Sequence, residues 1–99
     1  SWVGRWKDSY KERFGIEPAA QAVIGYLCAD LTVIALERAG PDLTVERLIE
    51  SLESISTYQD PFGNLELSLG PTKHVATNYL NLYQVQDQRW VTIAEKVEF

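Results

Sequence analysis

The chain has 99 residues, of which 45% are hydrophobic and 23% are charged, and this composition is typical of a single packed globular domain. Two-domain enzymes, repeat arrays and disordered proteins are excluded on these grounds. Fourteen acidic and nine basic residues give a net charge of -5, so the sequence shows no basic footprint for neutralising the phosphates of a nucleic acid. Nucleic acid is therefore not an expected partner. The single cysteine, Cys28, cannot form an intrachain disulfide.

Two helices are predicted before Gly40-Pro41. In the first, aromatic and aliphatic residues recur at steps of three and four, which places them on one helix face. This amphipathic helix is expected to end at Gly15. Pro18 suits the first turn of a second helix, whose apolar pattern continues to Gly40. The apolar positions of the first helix are Val3, Trp6, Tyr10 and Phe14.

The second helix is apolar nearly all the way round, since only Gln21, Asp30 and Thr32 are strongly polar between residues 19 and 36. One interpretation is a membrane span, although Asp30 would cost roughly 2.5 to 3.5 kcal/mol near the centre of a bilayer. The other is a helix buried between layers of a soluble α/β protein, which fits Asp30 better. The rest of the chain supplies too few elements to cover such a helix, so we expect a cover from outside the chain.

The pattern changes along the second half of the chain. Thr44 is a predicted N-cap, followed by a one-sided helix whose outer face is expected to be solvated. Turn residues at 60–64 precede a predicted half-buried strand, and residues 79–85 and 90–93 predict two strands joined as a hairpin by residues 86–89. The inner positions of the helix are Val45, Leu48, Ile49, Leu52 and Ile55, its outer positions are Glu46, Arg47, Glu50, Ser51, Glu53 and Ser54, and the first strand contains Leu65, Leu67 and Leu69.

The residues that could carry chemistry are few. The glycines are scattered, so there is no phosphate-binding loop, and one cysteine with one histidine cannot form a zinc site. His74 is expected to be a loop residue that bonds a neighbouring backbone group; a hydrolase that uses His74 and a nearby acid is the less favoured alternative. Cys28 is expected to be a small buried hydrophobe. Asp30 must find a partner, and a structural role is favoured over ligand binding. No catalytic residue, metal ligand or cofactor is predicted.

Several segments, in this order, resemble one protein family. The chain is similar to the C-terminal part of type I periplasmic solute-binding proteins of ABC transporters, the branched-chain amino acid binding kind. It departs from the family pattern at Leu27, where members often have aspartate, at Val75-Ala76 and at Asp87-Gln88. The matching segments are Arg13-Phe14-Gly15-Ile16-Glu17-Pro18, Ile24-Gly25-Tyr26, residues 35–44, residues 48–52, Phe62-Gly63, residues 69–74 and residues 83–90.

The resemblance implies an α/β fold, namely the C-terminal portion of a two-lobed periplasmic-binding-protein-like fold with three helices, then short strands and a C-terminal hairpin. Residues 1–78 would belong to the first lobe, and residues 79–99 to the crossover into the second. The apolar helix would be covered by elements from earlier in the receptor. Most ligand contacts would also come from that earlier sequence, and Tyr26 and Asp30 are candidates only because their helix lies in the lobe that faces the cleft.

The implied function is part of a non-enzymatic receptor that captures an amino acid or similar small polar solute, such as a branched-chain amino acid, for uptake. Its implied partners are the remainder of the binding protein and an ABC permease, and its implied location is periplasmic or extracellular and membrane-associated. No signal peptide is recognised in residues 1–14, and the resemblance would place one upstream of Ser1.

The alternative function is a free-standing small α+β interaction module that homodimerises through its apolar helix. Self-association of the chain is expected under both hypotheses.

Overall fold

The computed structural model describes residues 1–63 and 66–99, and within them the chain is a mixed helix and sheet structure. Three helices are followed by two separate antiparallel sheets of two strands each. Short β1 pairs with short β2, and long β3 pairs with long β4. The elements are α1 (Trp2–Phe14), α2 (Ala20–Ala39), α3 (Val45–Glu53), β1 (Tyr58–Gln59), β2 (Glu66–Leu67), β3 (Tyr79–Gln86) and β4 (Arg89–Glu98).

The caps of α1 explain why the helix occupies its predicted range. The Ser1 hydroxyl accepts a hydrogen bond from the backbone N–H of Gly4 at 3.2 Å, which satisfies one of the free donors of the first turn. Gly15 ends the helix in the left-handed region, with φ of 74°, and its N–H donates to the carbonyl of Lys11. Lys11 and Arg13 lie in the last turn, where cations are favourable.

Helix α2 follows the prediction except at its start, and it is packed along one side. The expectation that Pro18 lies in the first turn is wrong, because the helix begins at Ala20 with Ala19 as its N-cap. Its end follows the prediction, since Gly40 comes directly after Ala39 and has φ of 80°. Leu27, Leu31 and Ile34 pack against the core, and Ala35 is fully buried. By length and composition alone α2 could span a membrane, as core helices of soluble proteins also could.

The opposite side of α2 is uncovered in this chain. We call it the outer face of α2, and all of its side chains are exposed. The expectation that Cys28 is a buried hydrophobe is therefore wrong, because Cys28 lies on this face and no described element reaches it. As expected from the few elements of the chain, no described residue covers this side, and a cover from outside the chain stays a prediction. The outer face consists of Gly25, Cys28, Ala29, Thr32, Val33 and Leu36.

Helix α3 packs against α2 and closes the small core. The Thr44 hydroxyl accepts from the N–H of Arg47 at 3.1 Å, which confirms the predicted N-cap. Ile55 and Tyr58 follow the helix and are buried with Ala35. The prediction that the polar side of α3 is solvated is wrong at Ser51, which is buried. Ser51 lies beside Arg38 and Ala39 at the end of α2, so it belongs to the side of α3 that meets the other helix.

The sheet region differs from the sequence prediction in two ways. Strand β1 was not expected, since Tyr58–Gln59 is too short to show an alternating pattern. The strand predicted around Leu65, Leu67 and Leu69 is reduced to Glu66–Leu67 in the structure, and Leu65 itself lies outside the described residues, as does Asn64 of the predicted turn. Tyr58 pairs with Leu67, and Gln59 with Glu66.

The C-terminal hairpin is confirmed and is longer than the sequence pattern indicated. Its turn is formed by Asp87 and Gln88, with φ of 50° and 63°, as in a turn that matches the twist of the flanking strands. The pairing register shifts between Leu80 and Tyr83. Opposite this irregularity, Lys96 has φ of 50°, and its N–H donates to Asn81 Oδ1 at 3.0 Å.

The chain as a whole is more extended than a domain of its size. Its radius of gyration is 16.4 Å, whereas about 13 Å is usual for 100 residues. Its accessible surface is 7554 Å², about a third more than the roughly 5,700 Å² expected of a folded monomer of this size. The excess comes from elements, such as α2 and the hairpin, with faces that no described residue covers.

Candidate functional site

The first candidate residue, Tyr26, lies in a group of four aromatic rings that joins α1 to α2. We call Trp2, Trp6, Tyr26 and Phe62 the aromatic cluster. The Tyr26 ring centroid lies 5.4 Å from that of Trp2, 6.2 Å from that of Trp6 and 5.7 Å from that of Phe62, all in edge-to-face arrangements. Such pairs add roughly 0.5–1.5 kcal/mol each beyond the burial of their area. The cluster therefore holds α1 against α2, and it fixes the position of Tyr26.

The second candidate, Asp30, lies one helical turn further along α2 and is bound to a tyrosine. The hydroxyl of Tyr58 donates to Asp30 Oδ2 at 2.6 Å, a short bond of the kind that a charged acceptor forms. Tyr58 is only 7% exposed. The bond supplies the partner that a carboxylate in an apolar helix needs, as the structural interpretation of Asp30 predicted.

The environment of Tyr58 keeps its hydroxyl protonated. Burial raises the pKa of Tyr58 well above its ordinary value of 10.0, and the hydrogen bond to Asp30 and the negative charges of Asp30 and Asp60 raise it further. A hydroxyl in this state is a hydrogen-bond donor throughout the physiological range. Tyr58 thus orients Asp30 and does not act as a base.

A second acid, Asp60, lies beside the same tyrosine. Asp60 is 4% exposed, and its Oδ1 accepts from the backbone N–H of Phe62 at 2.7 Å. This Asx turn is closed by a second bond at 2.9 Å, from the N–H of Gly63 to the carbonyl of Asp60. This turn sets the course of the backbone at Phe62 and so places the Phe62 ring in the aromatic cluster. Asp60 therefore connects the aromatic cluster to the pair of Tyr58 and Asp30.

His74 lies elsewhere, at the mouth of an apolar cavity of about 340 Å³ between α3 and the loop that carries the histidine. Its Nε2 lies 3.0 Å from Glu53 Oε1, and Ile49, Leu52 and Leu69 line the rest of the cavity. The expectation that His74 bonds a backbone group is wrong, because the neighbouring turn of α3 offers a carboxylate first. The described residues around His74 include no serine, threonine or cysteine that lines this cavity.

The sequence points to Tyr26 and Asp30 but not to their neighbours in the structure. Tyr58, Asp60 and Phe62 come from one short segment after α3, and they meet α2 only through the tertiary fold. The one available signal is the density of aromatic and acidic residues at 58–62, of which residues 60–62 are predicted only as part of a turn. Among the described residues no group of three or more His, Cys, Asp or Glu could hold a metal ion.

Comparison with known proteins gives one match. A family model described as periplasmic binding protein matches residues 3–89, which is most of the chain. The match includes α2, α3, all but the first residue of α1, and both candidate residues. No curated protein and no solved structure matches the chain.

Proposed function

Because this chain belongs to the periplasmic binding protein family, of type I and the branched-chain amino acid kind, we propose that it is part of a receptor that captures an amino acid or similar small polar solute for uptake by an ABC transporter. The family binds solutes, is not enzymatic and is periplasmic. In such a receptor, closure of two lobes around the solute would present it to the permease. Residues 1–78 would belong to one lobe, and residues 79–99 would cross to the other.

The family match carries this proposal, and the outer face of α2 supports it. An apolar helix face of this length is rarely left in contact with water by a stable soluble protein. Val33 and Leu36 on this face are 50% and 41% exposed, and Ile24 beside it is 59% exposed. Small residues at Gly25, Cys28 and Ala29 would let another element approach the helix closely. We therefore assign this face to contact with the remainder of the receptor.

The size of the molecule supports the same assignment. The surface of this chain exceeds that of a typical folded monomer by more than the roughly 800 Å² that one partner buries in a standard interface. The exposed hairpin contributes to this excess through Leu82, Val85 and Trp90. A receptor that packs against both α2 and the hairpin would bring the exposed surface into the usual range.

Tyr26 and Asp30 are the residues of this chain that we propose to contribute to solute binding. The Tyr58 hydroxyl bonds one oxygen of Asp30, and the other carboxylate oxygen could accept from an ammonium group of the solute. In the complete receptor, Asp30→Asn should weaken the binding of an amino acid by about tenfold or more, because it removes a charge-assisted hydrogen bond. Glu46→Gln, on the solvated side of α3, is the matched control.

The test of the proposed function compares the isolated chain with the protein encoded by the complete reading frame that contains Ser1. Calorimetric titration with leucine, isoleucine and valine should show saturable binding to the complete protein and none to the isolated chain. Tight binding of any of these by the isolated chain would contradict the proposal. So would a reading frame that encodes no second lobe.

Alkylation of Cys28 tests the assigned contact directly. A maleimide should modify Cys28 readily in the isolated chain and about tenfold more slowly, or less, in the complete receptor, because the outer face is then covered. A Cys28→Ser, Ser9→Cys variant places the thiol on the exposed side of α1 as a control, and its rate should not change. Protection of Cys28 in a symmetric dimer of the isolated chain would instead favour a self-associating module.

A further inference from the structure

A polar cavity of about 270 Å³ lies between the loop that follows β2 and the C-terminal hairpin, away from the aromatic cluster and from His74. Lys73 from the loop and Lys96 from β4 both line it, together with Ser68, Thr77 and Glu66. The geometry points to this cavity as a binding site for a small oxyanion, a phosphate, sulfate or carboxylate group held between the two lysines. This inference is independent of the proposed transport function.

Local backbone structure places Lys73. Gly70 and Lys73 exchange two backbone hydrogen bonds, of 3.0 and 3.1 Å, across a tight turn. The N–H of Ser68 donates to the carbonyl of Ala76 at 2.9 Å, which closes the loop around that turn. The Lys73 ammonium then donates to Ser68 Oγ at 2.7 Å. Because Ser68 Oγ accepts this bond, its own hydroxyl proton can be directed to a third group in the cavity.

An unusual backbone conformation places Lys96. A lysine with φ of 50° is strained, because its Cβ comes close to its own carbonyl oxygen. The bond from the Lys96 N–H to Asn81 Oδ1 holds this conformation, at a point where the pairing of the two strands is irregular. Residues held in such conformations cluster at ligand-binding positions. Lys96 lines the cavity from this irregular part of the hairpin.

The charges around the cavity favour an anion. Within residues 1–63 and 66–99, the ion pairs within 4.0 Å involve Lys11, Arg47 and His74, so neither Lys73 nor Lys96 has a carboxylate partner at that distance. Lys73 and Lys96 carry like charges, which repel each other when they line one cavity, and a bound anion offsets that repulsion. Glu66 is the one acid in the lining, so the cavity carries a net positive charge within a chain of net charge -5.

The test is a titration of the isotope-labelled chain with sodium phosphate, sodium sulfate and sodium acetate, each replacing sodium chloride at constant pH and ionic strength. The backbone amide signals of Ser68, Lys73 and Lys96 should shift and saturate in the millimolar range. Saturation with phosphate or sulfate would identify a tetrahedral oxyanion as the ligand, and saturation with acetate alone would identify a carboxylate. Linear shifts with all three salts would overturn the inference.

Matched variants distinguish binding of the anion in this cavity from its nonspecific attraction to lysines elsewhere on the surface. Lys73→Met and Lys96→Gly should each raise the dissociation constant about tenfold, since each removes a charge-assisted hydrogen bond. Glycine tolerates the backbone conformation at position 96, so loss of folding would not explain that result. Glu66→Gln should lower the dissociation constant several-fold, because it removes the opposing charge. Lys7→Met on α1 should leave it unchanged; equal effects of Lys7→Met and Lys73→Met would overturn the inference.

Discussion

One hydroxyl group connects the middle of α2 to the segment that follows α3. Tyr58 reaches Asp30 across 28 positions of the sequence, and it does so from a nearly buried place beside Ile55 and Ala35. A carboxylate in an apolar helix is costly unless it is hydrogen-bonded, and the Tyr58 hydroxyl meets that requirement. Because of this hydrogen bond, the apolar helix α2 can contain the carboxylate of Asp30 without a positively charged partner beside it.

Removal of that hydroxyl should destabilise the chain. We expect Tyr58→Phe to lower the free energy of unfolding by about 1.5–3 kcal/mol, the usual contribution of a hydrogen bond to a charged group. Urea denaturation followed by circular dichroism measures the change. Tyr79→Phe, in an exposed position of β3, is the control and should have little effect. Equal unfolding midpoints for Tyr58→Phe and the unsubstituted chain would show that the bond does not stabilise the fold.

The raised pKa of Tyr58 also predicts a loss of stability at alkaline pH. In the unfolded chain Tyr58 releases its proton near pH 10, whereas in the folded chain the proton is retained to higher pH. The contribution of Tyr58 is therefore fully present below about pH 10 and decreases above it, by about 1.4 kcal/mol per pH unit. Unfolding experiments between pH 9 and pH 11 should show a steeper decrease for the unsubstituted chain than for Tyr58→Phe. Parallel curves would contradict this assignment.

At the scale of elements, the ends of the helices are set by nearby residues, whereas the hairpin depends on pairing between its two strands. The caps at Ser1 and Thr44 and the glycines at the ends of α1 and α2 specify where the helices begin and end. The hairpin is specified by its turn and by the pairing of its strands, and within residues 1–63 and 66–99 no helix packs against it. We therefore expect the hairpin to open more readily than the helical part, since a two-stranded sheet alone is marginally stable.

The hairpin turn offers a substitution that should stabilise it. Gln88 has φ of 63°, a conformation that costs a residue with a side chain about 1–2 kcal/mol and that glycine adopts freely. Gln88→Gly should therefore slow amide hydrogen exchange in the paired residues of β3 and β4. Gln86→Gly, which places glycine within β3 instead of in the turn, should accelerate it. Faster exchange in Gln88→Gly would show that the turn is not strained at this position.

At the scale of the whole molecule, the two sides of α2 have different surroundings. One side packs against the core, and the described residues leave the other side uncovered. The core side of α2 holds Ala35 against Ile55 and Tyr58. The outer face has no described partner, and its exposure accounts for part of the large surface of the isolated chain. Self-association of the isolated chain is the physical consequence that we expect.

Substitutions on the two sides of α2 should behave differently. Val33→Lys on the outer face should reduce self-association and the binding of a hydrophobic dye without lowering the unfolding midpoint, because the charge stays in water. Leu31→Lys on the core side should unfold the chain, since it would bury an unpaired charge. Sedimentation velocity and dye fluorescence measure the first effect, and circular dichroism measures the second. Unfolding by Val33→Lys would show that this side is part of the core.

The sequence by itself determined the local structure. Periodicity was sufficient to predict three helices, because helix geometry depends on neighbours within one or two turns. It was not sufficient for the start of α2, where Ala19 provides no side-chain cap. The order of the segments was sufficient to recognise the family. The tertiary structure alone decided which groups meet: Phe62 with Trp2, Tyr58 with Asp30, and Glu53 with His74. It also decided that Cys28 is exposed. An apolar pattern in the sequence indicates that a helix face is suited to burial. Whether that face is actually buried depends on which other elements pack against it.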